Sequence, residues 1–350
     1  MTVSEKLLVV GPSWVGDMVM AQSLYKLLKA KDGSISIDVL APAWSLPLLE
    51  RMPEIERGIE LPFGHGELGL AGRRRLGHSL RGQYDRAIVL PRSLKSALVP
   101  WFASIRKRTG FRGEWRYGLI NDMRAFDPKR LDQTVRRFIA LGMAPGERDM
   151  PDPPEPLLRA DAEASANLMA RLELKPTGPM VALMPGAEYG PAKQWPLASY
   201  VLLAHRLGDL GVDVLILGSA KEAPLGREIE TAAGSRHVRS LCGETTLVEA
   251  VDLLAAARVA VSNDSGLMHI AAAVGTHTVA IYGSSTPDFT PPLTANADVH
   301  YRRLSCSPCF ARECPLGHLD CLNGITVDAV FDSVKCRLDG ASKNSRVAND

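Results

Sequence analysis

Short apolar runs alternate with longer stretches in which apolar residues recur at helical spacing, in two separate blocks of the chain. In the first block the pattern predicts strands over Lys6–Val10, Ile35–Leu40 and Arg86–Leu90, and a helix over Met18–Leu28. In the second block it predicts, in chain order, strand Met180–Met184, helix Leu197–Leu207, strand Val212–Leu217, helix Leu247–Ala256, strand Val259–Ser262, helix Ser265–Val274 and strand Thr278–Tyr282. Such alternation is typical of parallel sheets covered by helices. The predicted fold class is therefore α/β, with two doubly wound, Rossmann-like domains.

A proline-rich stretch separates the two blocks. Residues 149–156 hold four prolines in eight positions, which no helix or central strand accommodates. We therefore predict an N-terminal domain over 1–150, a linker with a bridging helix over 151–178, a C-terminal domain over 179–339 and a loose tail over 340–350. Two such domains are expected to face a cleft at the carboxyl ends of their strands, where ligands of doubly wound folds bind.

The composition is that of an ordinary globular protein, with 46% hydrophobic residues and a net charge of +2. The sequence has no apolar run near the ~20 residues of a membrane span and no signal-peptide pattern, so a cytoplasmic location is expected. Charge is distributed unevenly, since residues 60–140 hold 17 Lys and Arg against 7 Asp and Glu. A segment of +10 in an otherwise acidic chain favours a domain that handles an anionic partner, although a solvated surface is the simpler alternative.

The loop after the first strand has the sequence Gly-Pro-Ser-Trp-Val-Gly-Asp at residues 11–17. Its glycines do not have the spacing of a dinucleotide-binding loop, and Asp17 stands where a phosphate-binding loop would continue with Lys. A carboxylate at a helix N-terminus serves either as a helix cap or as an ionised general base. Local sequence leaves both roles open for Asp17.

Two further loops combine small residues with charge. Residues 185–196 follow a predicted strand and carry Ala187, Glu188 and Lys193 among glycines and prolines, which suits a diphosphate. Residues 261–269 deliver Asn263 and Asp264 to a strand end, and Ser265 and Gly266 open a helix whose free N–H groups favour an anion. The alternatives are a surface turn with a solvated lysine and a capping Asp or Ser above a buried His269.

Four cysteines, Cys306, Cys309, Cys314 and Cys321, fall within sixteen residues. Their number suits tetrahedral zinc, but the spacing lacks two separated Cys-x-x-Cys units. A structural metal, free thiols and a disulfide formed on isolation remain open.

Together the loops resemble those of the bacterial ADP-heptose:lipopolysaccharide heptosyltransferases. The resemblance is carried by residues 11–17, by Pro-Gly-Ala-Glu-Tyr-Gly-Pro-Ala-Lys at 185–193 and by Asn-Asp-Ser-Gly-Leu-Met-His at 263–269. Arg-Thr-Gly-Phe-Arg-Gly-Glu at 108–114 and the motif at 282–293 are similar to the heptosyltransferase II branch of that family. The resemblance implies a GT-B fold and an inverting transfer of L-glycero-D-manno-heptose from ADP-heptose to the first heptose of the lipopolysaccharide inner core. It also implies that catalysis requires no cofactor, so any zinc would be structural.

The resemblance assigns roles by position. It implies that Asp17 is the general base, that Lys193 lies near the donor phosphates, and that Asp264 lies near the heptose hydroxyls. The expected donor-binding set is Ala187, Glu188, Asp264, Ser265, Gly266, Leu267 and His269. Candidates for the anionic groups of the acceptor are Arg73, Arg74, Lys95, Arg108 and Arg112, with Arg75, Arg106 and Arg116 in the same basic segment.

The expected partners are ADP-heptose and a lipopolysaccharide inner-core acceptor at the inner membrane surface, with no nucleic acid. Because the acceptor is a lipid, peripheral association with the cytoplasmic membrane face is expected. One alternative is a sister heptosyltransferase that acts at another core position. The other is a non-enzymatic binder of anionic polymer, which leaves Asp17, Lys193 and the loop at 263–269 unexplained.

Overall fold

The computed structural model describes residues 4–64, 66–147 and 149–347, with side chains described as far as residue 340. The chain divides into two compact units, Met1–Arg159 and Ala160–Asp350, named here the first and the second unit. Within the described residues, none of the helices combines the length and the apolar character that crossing a membrane requires.

The first unit is a six-stranded sheet with helices packed against it. Its elements are β1 (Lys6–Val10), α1 (Val15–Lys31), β2 (Ser36–Ala41), α2 (Leu46–Leu49), β3 (Arg57–Glu60), α3 (Leu70–Ser79), β4 (Arg86–Val89), α4 (Leu98–Phe102), β5 (Lys107–Phe111), β6 (Asp122–Arg124) and α5 (Thr134–Leu141). The strands run in the order β3-β2-β1-β4-β5-β6, and every recorded pairing is parallel.

The second unit repeats this plan. Its elements are α6 (Ala162–Arg171), β7 (Met180–Met184), α7 (Leu197–Asp209), β8 (Asp213–Ile216), α8 (Ala223–Ala233), β9 (Val238–Ser240), α9 (Leu247–Ala256), β10 (Val259–Asn263), α10 (Gly266–Ala273), β11 (His277–Tyr282), β12 (Ala297–Tyr301), α11 (Asp320–Asn323) and α12 (Val327–Val347). The strands run in the order β9-β8-β7-β10-β11-β12, again with parallel pairings.

The apolar runs form these strands because both faces of each sheet are covered. In β1, successive residues from Leu7 to Val10 point to opposite faces, and all four are at most 2% exposed. The same holds for β7, β10 and β11, whose valines and isoleucines enter the core of the second unit. The predicted α/β class with two doubly wound sheets is confirmed.

The boundary between the units differs from the predicted linker. The proline-rich stretch packs along α1, where the Ser23 hydroxyl donates to the Pro154 carbonyl at 2.6 Å and Gln22 exchanges two hydrogen bonds with the backbone of Leu157. The second unit begins at Ala160, and Asp161 caps α6 by accepting from two backbone N–H groups. The backbone of α12 is helical as far as Val347, across part of the segment predicted as a loose tail. The side chains of 341–347 and all of 348–350 lie outside the described residues, so the tail remains a prediction.

Candidate active sites of the two units

In the second unit, the strand order reverses between β7 and β10. The loops that follow these two strands, residues 185–196 and 264–265, therefore diverge at the carboxyl edge, which is where doubly wound folds bind ligands. Two of the three motifs that the sequence singled out lie in these loops. The fold thus places Lys193 and Asp264 at one point, although 71 residues separate them in the chain.

Asn263, the last residue of β10, joins the two loops. Its side-chain oxygen accepts from the Trp195 backbone N–H at 2.9 Å and from the Tyr200 hydroxyl at 3.1 Å. Its side-chain nitrogen donates to the carbonyls of Pro185 at 2.7 Å and Gly186 at 3.3 Å. Asn263 has no exposed surface, so these four bonds satisfy a fully buried amide and fix the loop of Lys193 against β10.

Lys193 and Asp264 form a buried ion pair. The Lys193 Nζ lies 2.5 Å from Asp264 Oδ2, and the two side chains are 17% and 4% exposed. The other carboxylate oxygen of Asp264 accepts from the Thr290 hydroxyl at 3.3 Å, and the Thr290 carbonyl accepts from the Tyr282 hydroxyl at 2.6 Å. Because removing either member of a buried pair leaves an uncompensated charge, the pair fixes the geometry of this edge.

His269 lies beneath this pair on α10. It is 4% exposed, and burial lowers its pKa to about 4, with a smaller opposing effect from Asp264. The imidazole is therefore neutral at pH 7. It is a buried histidine, as one alternative predicted, and it supplies no positive charge for a phosphate.

The start of α10 leaves backbone donors open. Ser265 is the N-cap residue, but its side chain makes no capping bond to the helix and its hydroxyl instead pairs with that of Ser262 at 3.1 Å. Ser265, Gly266 and Leu267 are half-buried. Uncapped N–H groups at a helix start attract anions, and the donor loop remains a prediction.

The remaining predicted donor residues lie at the rim of this edge. Ala187 is half-buried, and the exposed Glu188 pairs with Lys221 at 3.0 Å. Three contacts here were not predicted from the sequence. These are Thr290 beside Asp264, and the ring of Tyr189 with the cations of Lys193 and Arg312 over it at 5.2 and 5.3 Å. Arg312 lies far along the chain, so no local pattern could identify it. Thr290 lies within the motif at 282–293, but its contact with Asp264 depends on the fold.

In the first unit, the strand order reverses between β1 and β4. Asp17 lies in the first turn of α1, directly after β1, and is half-buried. The N-cap of this helix is Trp14, so Asp17 is not the cap, although a carboxylate in the first turn still stabilises the helix dipole. Asp17 therefore lies at the carboxyl edge of the sheet, where doubly wound folds bind ligands.

Two arginines that the sequence analysis did not select lie beside each other, and one of them, Arg137, interacts with the charge of Asp17. Arg137 is on α5, which packs against α1, and Asp17 acts on its guanidinium electrostatically. Arg92 follows β4, and the guanidiniums of Arg92 and Arg137 lie over the ring of Phe126 at 4.6 and 5.2 Å. Burial and the Arg92 charge lower the pKa of Arg137, and the charges of Asp132 and Asp17 oppose this, so the two neighbouring guanidiniums repel each other.

Three arginines of the predicted acceptor segment are used inside the first unit. Arg73 is 3% exposed and donates to the carbonyls of Leu68, Lys95 and Glu67. Arg108 lies in the half of β5 away from the ligand edge and donates to the carbonyls of Ile105, Gly118 and Leu119.

Arg116 is 1% exposed and donates to Pro91, Ser93, Ser96 and Phe111, and burial lowers its pKa to about 10. Arg74, Arg75, Arg106 and Arg112 are exposed, and Lys95 is half-buried. Of these, Arg112 directly follows β5 at the ligand edge.

The cysteine segment follows β12. Cys321 is buried, Cys309 is exposed, and the thiols of Cys306, Cys309 and Cys314 raise the pKa of Cys321 in addition to its burial. All four are free thiols. Among the described residues no group of His, Cys, Asp or Glu side chains is placed to hold a metal ion, so the structure gives the predicted zinc no support.

Comparison with known proteins gives one family. The model of glycosyltransferase family 9 (heptosyltransferase) matches residues 73–320. Lipopolysaccharide heptosyltransferase 2 of Escherichia coli is 51% identical over 303 residues, which covers 84% of this chain and 87% of that protein. Lipooligosaccharide heptosyltransferase 2 of Haemophilus influenzae is 47% identical over 305 residues, with 84% and 87% covered.

A solved structure supports the same grouping. The structure of Escherichia coli ADP-heptose lipopolysaccharide heptosyltransferase II superimposes with a TM-score of 0.85 at 44% identity, over 96% of this chain and 99% of that one. The chain therefore belongs to glycosyltransferase family 9, the heptosyltransferases.

Proposed function

We propose that this glycosyltransferase moves L-glycero-D-manno-heptose from ADP-heptose onto the first heptose of the lipopolysaccharide inner core. The identity of about half to heptosyltransferases 2, over most of the chain, favours this reaction over the alternatives. The observation that carries the donor side is the buried Lys193–Asp264 pair beside the uncapped start of α10.

The donor side of the proposal follows from charge. The diphosphate would lie near Lys193 and the N–H groups of Gly266 and Leu267, which stabilise the charge that develops as ADP leaves. Asp264 would be repelled by phosphate, and its carboxylate suits the hydroxyls of the heptose. Ala187, Glu188, Ser265 and His269 would complete the walls of the donor site, with neutral His269 as a packing and hydrogen-bonding group.

The acceptor side relies on the first unit. Asp17 would take the proton of the acceptor hydroxyl as that oxygen attacks the anomeric carbon from the face opposite ADP, through an oxocarbenium-like state. Arg92, Arg112 and Arg137 are the arginines we assign to the carboxylates and phosphates of the acceptor, since guanidiniums bind such groups bidentately. Arg74 and Lys95 remain candidates, whereas Arg73 and Arg108 are already occupied by backbone carbonyls.

The acceptor is anchored in a lipid, so we place the reaction at the cytoplasmic face of the inner membrane with the enzyme attached peripherally. Exposed aromatic side chains in the basic segment support this, with Trp101 at 43%, Trp115 at 86% and Tyr117 at 56% exposure. Tryptophan and tyrosine are enriched where proteins meet membrane interfaces.

The test is transfer from ADP-heptose to a purified mono-heptosylated, Kdo-bearing acceptor, with EDTA present. Asp17→Asn should lower kcat about 10²- to 10⁴-fold, the range for a lost general base, with ADP affinity retained. The matched control is Asp152→Asn, an exposed carboxylate in the proline-rich stretch, which should leave kcat unchanged.

Three outcomes would contradict the proposal. Turnover of an acceptor that lacks the first heptose would identify a sister enzyme. Full activity of Asp17→Asn would make Asp17 a helix-dipole group and not the base. Activity that returns only with added zinc would assign a metal to the cysteine segment.

A further inference from the structure

The segment that follows β12 is fixed to the loop that carries Lys193. The Ala192 N–H donates to the Arg312 carbonyl at 3.0 Å, and the Tyr189 hydroxyl donates to the Phe310 carbonyl at 2.7 Å. Gly190 allows this approach, because a Cβ at that position would come within 2.5 Å of the Arg312 carbonyl oxygen. These contacts fix the position of Arg312 relative to Lys193, although 119 positions separate the two in the sequence.

The aromatic ring of Tyr189 brings two cations together. The Lys193 Nζ lies 5.2 Å from the ring centroid and the Arg312 Cζ lies 5.3 Å from it. Both distances are within the range of a cation–π contact, which orients a guanidinium without neutralising it. The ring of Tyr189 therefore holds the Arg312 guanidinium beside Lys193, at the edge where the diphosphate is proposed to bind.

The charges of the neighbouring side chains show why Lys193 alone is insufficient to balance the negative charge of a diphosphate. Its charge is already matched by Asp264 at 2.5 Å. Lys221 and Arg303, two other cations near this edge, are matched by Glu188 at 3.0 Å and by Asp288 at 2.8 Å. Among the described residues, no carboxylate lies within 4.0 Å of the Arg312 guanidinium. Of Lys193, Lys221, Arg303 and Arg312, Arg312 is thus the one whose charge remains available to a diphosphate.

We propose that Arg312 binds the diphosphate of the nucleotide-sugar donor and stabilises it as the leaving group, an inference that rests on the proposed function. In the transfer step the bond between the anomeric carbon and the phosphate oxygen breaks, and its electron pair stays on that oxygen. The acceptor oxygen forms the new bond, and its proton passes to Asp17. Arg312 stays protonated throughout and offers its N–H donors to the added negative charge.

The test compares Arg312→Met and Arg312→Lys with wild type in three measurements, namely ADP affinity, adenosine affinity and kcat for heptose transfer. Arg312→Met should weaken ADP binding about tenfold and lower kcat by about 10- to 100-fold, whereas adenosine affinity should not change. Arg312→Lys should recover part of both losses. The control is Arg303→Met, which removes an exposed guanidinium already paired with Asp288 and should behave as wild type.

The measurements separate this inference from the function on which it rests. If wild type does not bind ADP, both the proposed function and the role of Arg312 fall. If wild type binds ADP and transfers heptose while Arg312→Met matches it in both, only the role of Arg312 is overturned. Equal losses of ADP and adenosine affinity in Arg312→Met and Arg312→Lys, with a lowered melting temperature, would show that Arg312 only supports the loop.

Discussion

The two units share one strand order but differ in how they hold charged groups at the ligand edge. In the second unit Asn263, Asp264 and His269 are at most 5% exposed, and the first two have side-chain partners within 3.3 Å. In the first unit Asp17 is half-buried, and Arg92 and Arg112 are exposed. The same backbone plan therefore supports one rigid, internally paired site and one open, positively charged edge.

The difference follows from what desolvation requires. A buried charge must be paired or it destabilises the fold, so the second unit builds Lys193 and Asp264 as a pair with hydrogen-bonded neighbours. Exposed arginines have no such requirement, and their charges stay available to a large anionic partner. The rigid, internally paired site of the second unit suits a small donor with one shape. The open, positively charged edge of the first unit suits a large, variable saccharide.

The largest expected effects come from separating the buried pair. Lys193→Met should lower kcat about 10²- to 10³-fold and weaken ADP binding, because the leaving diphosphate loses its cation. Asp264→Asn should also lower kcat but should tighten ADP binding, since the charge of Lys193 is then uncompensated. Steady-state kinetics and ADP titration of both variants test this.

Opposite shifts in ADP affinity for the two variants are the signature of a phosphate beside this pair. Arg171→Met, which breaks the exposed pair with Glu249, is the control and should change neither quantity. If both active-site variants weakened ADP equally, the pair would serve the fold alone.

The next effect separates arginines that bind from arginines that support the fold. Arg73→Met removes a buried guanidinium that donates to three carbonyls and should cost about 1–3 kcal/mol of unfolding free energy. Arg92→Met should instead raise the acceptor KM about tenfold with little change in melting temperature.

Thermal melts and acceptor titrations measure both quantities, with Arg81→Met as a control for an exposed arginine elsewhere in the basic segment. An acceptor KM that responds to Arg73→Met at unchanged stability would reverse the assignment of these two residues.

These arginines also show what the sequence could and could not predict. The strands and helices that the sequence predicted lie within a few residues of those observed, because apolar periodicity is local and the sheets bury both faces. Five short strands, β3, β5, β6, β9 and β12, were not predicted. The charge of +10 identified the basic segment correctly as a cationic region. The charge count could not distinguish Arg116, which is fully buried, from Arg112, which is exposed four residues earlier. The burial of Arg116 depends on backbone carbonyls that only the folded chain brings to it, such as that of Pro91.

The sequence predicted site residues only where they lie in a recognisable motif. Lys193 and Asp264 lie in loops that follow predicted strands, so their convergence follows from the strand order. Arg137 and Arg312 come from a helix and a loop that reach the edges through long-range packing, and nothing in their local sequence marks them. Thr290 lies in the motif at 282–293, but the motif does not indicate its contact with Asp264. The cysteine number suggested a metal, but metal binding depends on geometry that spacing alone does not specify.

The smallest effect tests burial in the second unit through pH. The pKa of His269 is about 4 in the folded chain, below its ordinary value near 6.5. The unfolded chain therefore takes up a proton at a pH where the folded chain does not. The free energy of unfolding should be insensitive to this residue above pH 6.5 and fall, by at most about 3 kcal/mol, as the pH drops from 6.5 towards 4. Between pH 7 and pH 5, urea unfolding should thus show a larger loss of unfolding free energy for wild type than for His269→Gln, by about 2 kcal/mol.

The exposed His78 gives the control, since His78→Gln should keep the wild-type pH dependence. Parallel curves for wild type and His269→Gln would mean that the imidazole is protonated within the folded site, and the contrast between a desolvated second unit and an open first unit would then fail at its most buried titratable group.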